Sequence, residues 1–128
     1  MPDGLITVES ALDTPQTVHR LETALAAKGV TLFAKIDHAA GAAAVGLPLG
    51  PTTVLIFGDA QAGTKLMQID QRIGLDLPLK MLVWTDGAGK TWVSYSDPVW
   101  TAARYGITAE DAAVLTAMKG MLAGLASG

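Results

Sequence analysis

Apolar positions along this chain alternate, cluster or recur at helical spacing, and each change of period predicts an element. Ile6 and Val8 alternate against Thr7 and Glu9, so Leu5 to Ser10 is predicted as a strand. Val18, Leu21 and Leu25 recur at i, i+3 and i+7 and give one helical stripe. Thr14 is the expected N-cap, Pro15 the first helical residue and Gly29 the stop. A second strand is expected from Val30 to Asp37, with Leu32, Ala34 and Ile36 on one face and Phe33 and Lys35 on the other. Asp37 should cap a short helix from His38 to Val45, closed by Gly46, and Pro48 to Pro51 should be extended.

Two further strands, Thr52 to Gly58 and Leu79 to Thr85, are apolar on both faces. Between them Thr64 is the expected cap of a short helix burying Leu66, Ile69 and Ile73. Asp86 to Gly89 predicts a hairpin loop into a fifth strand, Thr91 to Ser96. Asp97-Pro98 opens a turn or short helix that ends near Gly106. Thr108 should cap the last helix, with Asp111 completing a capping box, and Leu115, Met118, Leu122 and Leu125 form its apolar stripe.

The resulting order is β-α-β-β-β-β-α, an α+β fold. Consecutive strands joined by a tight hairpin favour an antiparallel sheet, with both long helices packed on one face. Val54 and Ile56 then point to one face of the third strand and Leu55 and Phe57 to the other. Helices cover only one of these faces. The second must be covered by a partner subunit, by the short inserts or by a ligand, and a homodimer using sheet surface is the expected solution.

Composition narrows the function. The chain has 128 residues, 50% hydrophobic and 16% charged, which suits one folded domain over residues 1–128. Lys+Arg of 9 against Asp+Glu of 12 gives 9 − 12 = −3, so the basic footprint of a nucleic-acid binder is missing. No cysteine is present, which removes disulfides, thiolate metal sites and a Cys nucleophile. No apolar run approaches the ~18–20 residues of a membrane span, and the N-terminus has no signal-peptide pattern. A soluble, cytoplasmic domain is expected.

Strong catalytic motifs are missing: no dinucleotide fingerprint, no phosphate loop before a helix, no nucleophile elbow. Gly87-Ala88-Gly89-Lys90-Thr91 lies between strands and is better explained as a hairpin turn. His19 is expected on an exposed helix face. Asp37-His38 sits at a strand-to-helix junction, where a neutral imidazole beside a carboxylate suits a general base or a lone metal ligand; local capping and packing is the simpler account. No residue spacing supports a metal site. Lys80 is a charge inside an apolar strand, and Tyr95 on the neighbouring strand is expected to share its face. Met67, Met81, Met118 and Met121 suit core packing, as do Trp84, Trp92 and Trp100.

One ordered set of short matches goes further. Ile36-Asp37-His38-Ala39-Ala40-Gly41-Ala42, Val45-Gly46-Leu47, Gly50-Pro51-Thr52, Ile56-Phe57-Gly58, Gly63-Thr64 with Leu66-Met67, Leu75 to Lys80, Val83-Trp84 with Asp86, Gly89 and Trp92, and Tyr95 before Asp97-Pro98 together resemble the bacterial and archaeal family called domain of unknown function 302. The resemblance runs from about Ile6 to Ile107. Asp59-Ala60 stands where members often carry Asn-Pro, and Lys65 where proline is common. The resemblance implies an antiparallel α+β fold on the TATA-binding-protein-like β-α-β4-α plan, and a homodimer. It names no activity and no cofactor. Three functions stay open: a small-molecule-binding module taking a small apolar ligand, a small enzyme using Asp37 and His38, or a structural or regulatory dimer. The candidate ligand-binding residues are Asp37, His38, Gly58, Gly63, Met67, Lys80 and Tyr95.

Overall fold

The computed structural model describes residues 2–110 and 112–128. Its elements are β1 (Leu5–Ser10), α1 (Thr14–Ala27), β2 (Thr31–Asp37), α2 (His38–Ala44), β3 (Thr52–Gly58), α3 (Ala60–Ile69), a 3₁₀ turn (Gln71–Asp76), β4 (Leu79–Thr85), β5 (Thr91–Ser96), α4 (Pro98–Ala103) and α5 (Ala113–Ser127). The strands form one antiparallel sheet in the order β1-β5-β4-β3-β2. Chain neighbours are therefore sheet neighbours from β2 to β5, and β1 closes the far edge against β5.

Leu55, Phe57, Met81, Val83, Val93 and Tyr95 point to one face and are buried there beneath Val18, Leu21 and Leu25 of α1 and Leu122 and Leu125 of α5. Both long helices thus lie on the same face, as their single apolar stripes require. A second cluster joins α3, the 3₁₀ turn and α4 to the first half of α5 through Leu66, Ile73, Ala102, Ile107, Leu115 and Met118. Leu79, at the start of β4, packs against both clusters. The other sheet face presents Ile36, Val54, Ile56, Leu82, Trp84 and Trp92. Trp84 and Trp92 pair there with centroids 6.3 Å apart. Trp84 donates to the Ser94 hydroxyl at 2.9 Å and Trp92 to the Asp86 carboxylate at 2.9 Å.

Aspartate side chains set most helix starts. Asp13, Asp37, Asp59, Asp70 and Asp97 each accept a backbone N–H of the following turn. Asp37 caps α2 as expected. Elsewhere the boundaries move. Asp13, not Thr14, caps α1; Thr14 is buried and its hydroxyl meets that of Thr85 at 2.8 Å. Asp59 caps α3, so Thr64 lies mid-helix and Ile69 ends exposed. The last helix starts at Ala113 after Ala112, which has no side chain to cap with, so Thr108 is not its N-cap. Asp111 lies outside the described residues. At the other end of α5, Arg20 donates to the Leu125 carbonyl at 2.9 Å, satisfying a terminal acceptor from outside the helix.

Two irregularities interrupt this plan. The β2–β3 register slips between Leu32 and Ala34, so Phe33 is a bulge residue. Leu32 then shares the helix-covered face with Lys35, while Ala34 and Ile36 take the other, and the simple alternation expected for this strand fails. At the N-terminus Gly4 has φ +77, and a Cβ there would lie 2.2 Å from the Trp100 ring. The Gly4 carbonyl accepts from the Asp97 N–H at 2.8 Å, which ties the entry of β1 to the exit of β5.

Candidate functional site

Two cavities flank the meeting point of the two core clusters and share Leu77, Pro78, Leu79 and Met118 as a common wall. The larger, about 490 Å³, lies between the end of β3, α3 and α5. Gly58, Gly63 and Met67 all line it, joined by Phe33 from the bulge and by Met118 and Met121 from α5. The glycines keep the walls close. A Cβ on Gly58 would contact Phe33 and Pro78 at 3.5 Å, and one on Gly63 would approach Leu77 at 3.7 Å and Met67 at 3.8 Å. Lys28 and Asp59 supply charge at its edge. The bulge that turns Phe33 toward this space has no sequence signal in an alternating strand. The α5 methionines carry only a helical stripe, which is equally the mark of plain core.

The smaller cavity, about 290 Å³, contains Lys80 and Tyr95. They do not share a face. Lys80 pairs with Ile56 on the open side of the sheet, whereas Tyr95 pairs with Ile6 and is buried on the helix side. The hairpin register Leu82↔Ser94 sets this parity. Burial, and then the negative charge of Asp97, push the Tyr95 phenol above its ordinary range, so it remains protonated at neutral pH.

Asp37 and His38 line neither cavity. Asp37 pairs with Thr53, five residues along β3 from Gly58, or about 17 Å at strand rise. The Asp37 carboxylate is spent on the Ala40 N–H at 2.9 Å. His38 is exposed and has no hydrogen-bond partner among the described residues. The carboxylate–imidazole pairing that base catalysis requires is therefore not made here. Among the described residues, no group of three or more His, Asp or Glu side chains is placed to hold a metal ion.

Sequence reading missed a polar cluster beside the smaller cavity. The Asp76 carboxylate accepts from the Tyr105 hydroxyl and from Arg104 at 3.1 Å, and the guanidinium lies 5.8 Å from the Tyr105 ring centroid. The bond to Asp76 leads the effects that raise the Tyr105 phenol, ahead of burial. Its members are 28 and 29 residues apart, beyond any local pattern.

Similarity to known proteins agrees with this architecture. The chain is 43% identical over 115 residues to "Fluoride-specific ion channel FluC 1" of Brucella suis, covering 90% of this chain and 45% of that protein. The match to FluC 1 of Brucella abortus has the same identity and covers 43% of that protein. The chain thus spans less than half the length of these relatives. Among the described residues, no helix is long and apolar enough to cross a membrane. The crystal structure of an uncharacterized conserved DUF302 protein from Bacillus stearothermophilus superposes with a TM-score of 0.87 at 18% identity, covering 98% of both chains, which establishes a shared fold. The model of the family described as Domain of unknown function DUF302 matches residues 6–125, and the chain belongs to that family.

Proposed function

We propose that this domain is a homodimeric module that binds a small apolar molecule in the larger cavity. The observation that carries the reading is the volume of about 490 Å³ walled by Phe33, Met67, Met118 and Met121. Ligand sites occupy roughly 300–1,000 Å³, are mostly apolar and carry a few polar groups. Methionines suit such a site because their unbranched thioethers adapt to different shapes. The ion-channel name of the Brucella relatives belongs to proteins about twice as long. A pore needs membrane-spanning segments, so we assign this domain a binding role beside such a channel rather than the conduction itself.

The test uses methyl-labelled methionine and NMR, with indole and hexanol as probes. Saturable shifts of Met67 and Met121 are expected, and Met67→Trp should abolish them by filling the space. Unmoved methyls up to the solubility limit of both probes would remove the reading. The dimer reading is supported by the second sheet face, where Val54, Ile56, Leu82, Trp84 and Trp92 are only half-buried and no helix of the two core clusters lies above them. A twofold partner is the common cover for such a face, and it should bury well over ~1,000 Å². Light scattering at micromolar concentration should return twice the mass of the chain; a monomer mass would eliminate the dimer.

A further inference from the structure

The smaller cavity exists because the sheet splits. The β4–β5 ladder ends at Leu82↔Ser94. Beyond it β4 stays paired with β3 as far as Leu79, and β5 stays paired with β1 as far as Ser96. The two central strands part like a fork, and the cavity fills the opening. Its lining comes from both sides of the sheet: Lys80, Val54 and Leu82 from the open face, Tyr95, Met118 and Leu122 from the helix face. A passage through a sheet is unusual, since central strands normally keep their ladder to satisfy backbone groups.

The polar groups in the fork are unequally used. The Asp76 carboxylate is neutralised by Arg104 and Tyr105. The Ser94 hydroxyl is engaged by Thr7 and Trp84. The Ser96 and Thr101 hydroxyls also line the space. Two groups stand out. Tyr95 is 6% exposed, yet its hydroxyl has no hydrogen-bond partner among the described residues. Among the described residues no buried side-chain oxygen is left without a partner, so this hydroxyl is not sealed in the core but opens onto the cavity. Lys80 is exposed on a central strand and has no ion pair or hydrogen bond among the described residues, so its ammonium is free to meet an anion at the mouth of the fork. An accessible neutral phenol therefore lies on the inner side and a solvent-exposed cation on the outer side of a cavity whose lining includes the apolar Val54, Leu82, Met118 and Leu122.

We propose that the fork binds a small hydroxy- or oxo-carboxylate, threaded through the sheet. Its carboxylate sits at Lys80 on the open face, its apolar chain passes between β4 and β5, and its neutral oxygen reaches the Tyr95 hydroxyl. The protonated phenol can donate to a carbonyl or accept from a hydroxyl. A free carboxylate is disfavoured at the inner end, where Asp97, itself paired with Lys119, lies near the phenol and the cavity's one unpaired cation among the described residues, Lys80, stands at the other end. The site is separate from the larger cavity and stands without it.

The test is a titration of the full chain with 6-hydroxyhexanoate, hexanoate and 1,6-hexanediol, read by NMR at the methyls of Ile73, Val54 and Leu82, which line the fork and not the larger cavity. Saturable binding is expected to be tightest for 6-hydroxyhexanoate and about fivefold weaker for hexanoate, the value of one neutral hydrogen bond. Lys80→Met should weaken both carboxylates about tenfold and leave 1,6-hexanediol unchanged. Tyr95→Phe should abolish the preference for 6-hydroxyhexanoate while retaining hexanoate, which also shows that the fork is still formed. No saturable shift at these methyls, or preferences that survive both substitutions, would overturn the proposal. Shifts confined to Met67 and Met121 would overturn it while sparing the larger site.

Discussion

Gly4→Ala isolates two separable costs at one position. The first is conformational: Gly4 has φ +77, and a residue with a Cβ in the left-handed region loses about 1–2 kcal/mol. The second is steric. The new methyl would lie 2.2 to 2.6 Å from three atoms of the Trp100 ring, far inside contact distance. Trp100 is 43% exposed, so its ring has room to swing outward, at the cost of its packing against Gly4. Overpacking of this kind costs roughly 1–3 kcal/mol. The single substitution should therefore destabilise by about 2–5 kcal/mol. In a Trp100→Ala background the clash is gone and only the backbone cost, about 1–2 kcal/mol, should remain. Urea unfolding of the four proteins of this double-mutant cycle measures both terms, with the coupling read from midpoints at constant slope. Equal cost in the two backgrounds would refute the assignment of the clash to Trp100.

Three other outcomes follow from the capping and ionic contacts. Asp37→Ala should lower stability by about 0.5–2 kcal/mol, Asp37→Ser should restore most of it, and binding in both cavities should be unchanged; urea titration and the NMR probes read these effects separately. Arg20→Gln should cost about 0.3–1 kcal/mol and raise amide exchange in the last turn of α5, where the guanidinium meets the Leu125 carbonyl. The Asp70 carboxyl is held at about 2, below the ordinary 3.8, chiefly by the Arg72 side chain and then by the Arg72 N–H. A lowered carboxyl stabilises the fold above the ordinary value, and that contribution fades as pH falls from 3.8 toward about 2. Asp70→Asn should therefore flatten the stability profile inside that window and nowhere else, as measured by thermal unfolding at a series of acid pH values.

Strand and helix identities were legible because each carries a strong period. The stripe Val18, Leu21, Leu25 and the doubly apolar β3 and β4 leave little choice. Helix starts were less legible because nearby aspartates and threonines compete for the cap. Asp13 precedes Thr14 and Asp59 precedes Thr64, and in each case the aspartate took the N–H and the threonine was absorbed into the helix. Face assignments failed where a single residue changes parity. One bulge at Phe33 reverses the rest of β2, and the hairpin register puts Lys80 and Tyr95 on opposite faces. Of the candidate residues, Gly58, Gly63 and Met67 met in one cavity and Lys80 and Tyr95 in another, while Asp37 and His38 stayed apart. The fork itself depends on where a ladder stops, which is a tertiary outcome with no local pattern.

The position of β1 bears on the order of folding. Strands β2 to β5 pair with their neighbours in the chain, so each ladder closes a connection of 20 residues or fewer. β1 must instead find β5, with Leu5 meeting Ser96 across most of the chain. Closing so long a loop is costly before its contacts form, which makes this the slow, late step. It also makes β1 the strand released first in partial unfolding, with amides that exchange ahead of those in β3 and β4. At the split end of the sheet, β5 rests on β1 alone. Any occupant of that opening therefore binds only chains whose first strand has docked, and it holds that strand in place.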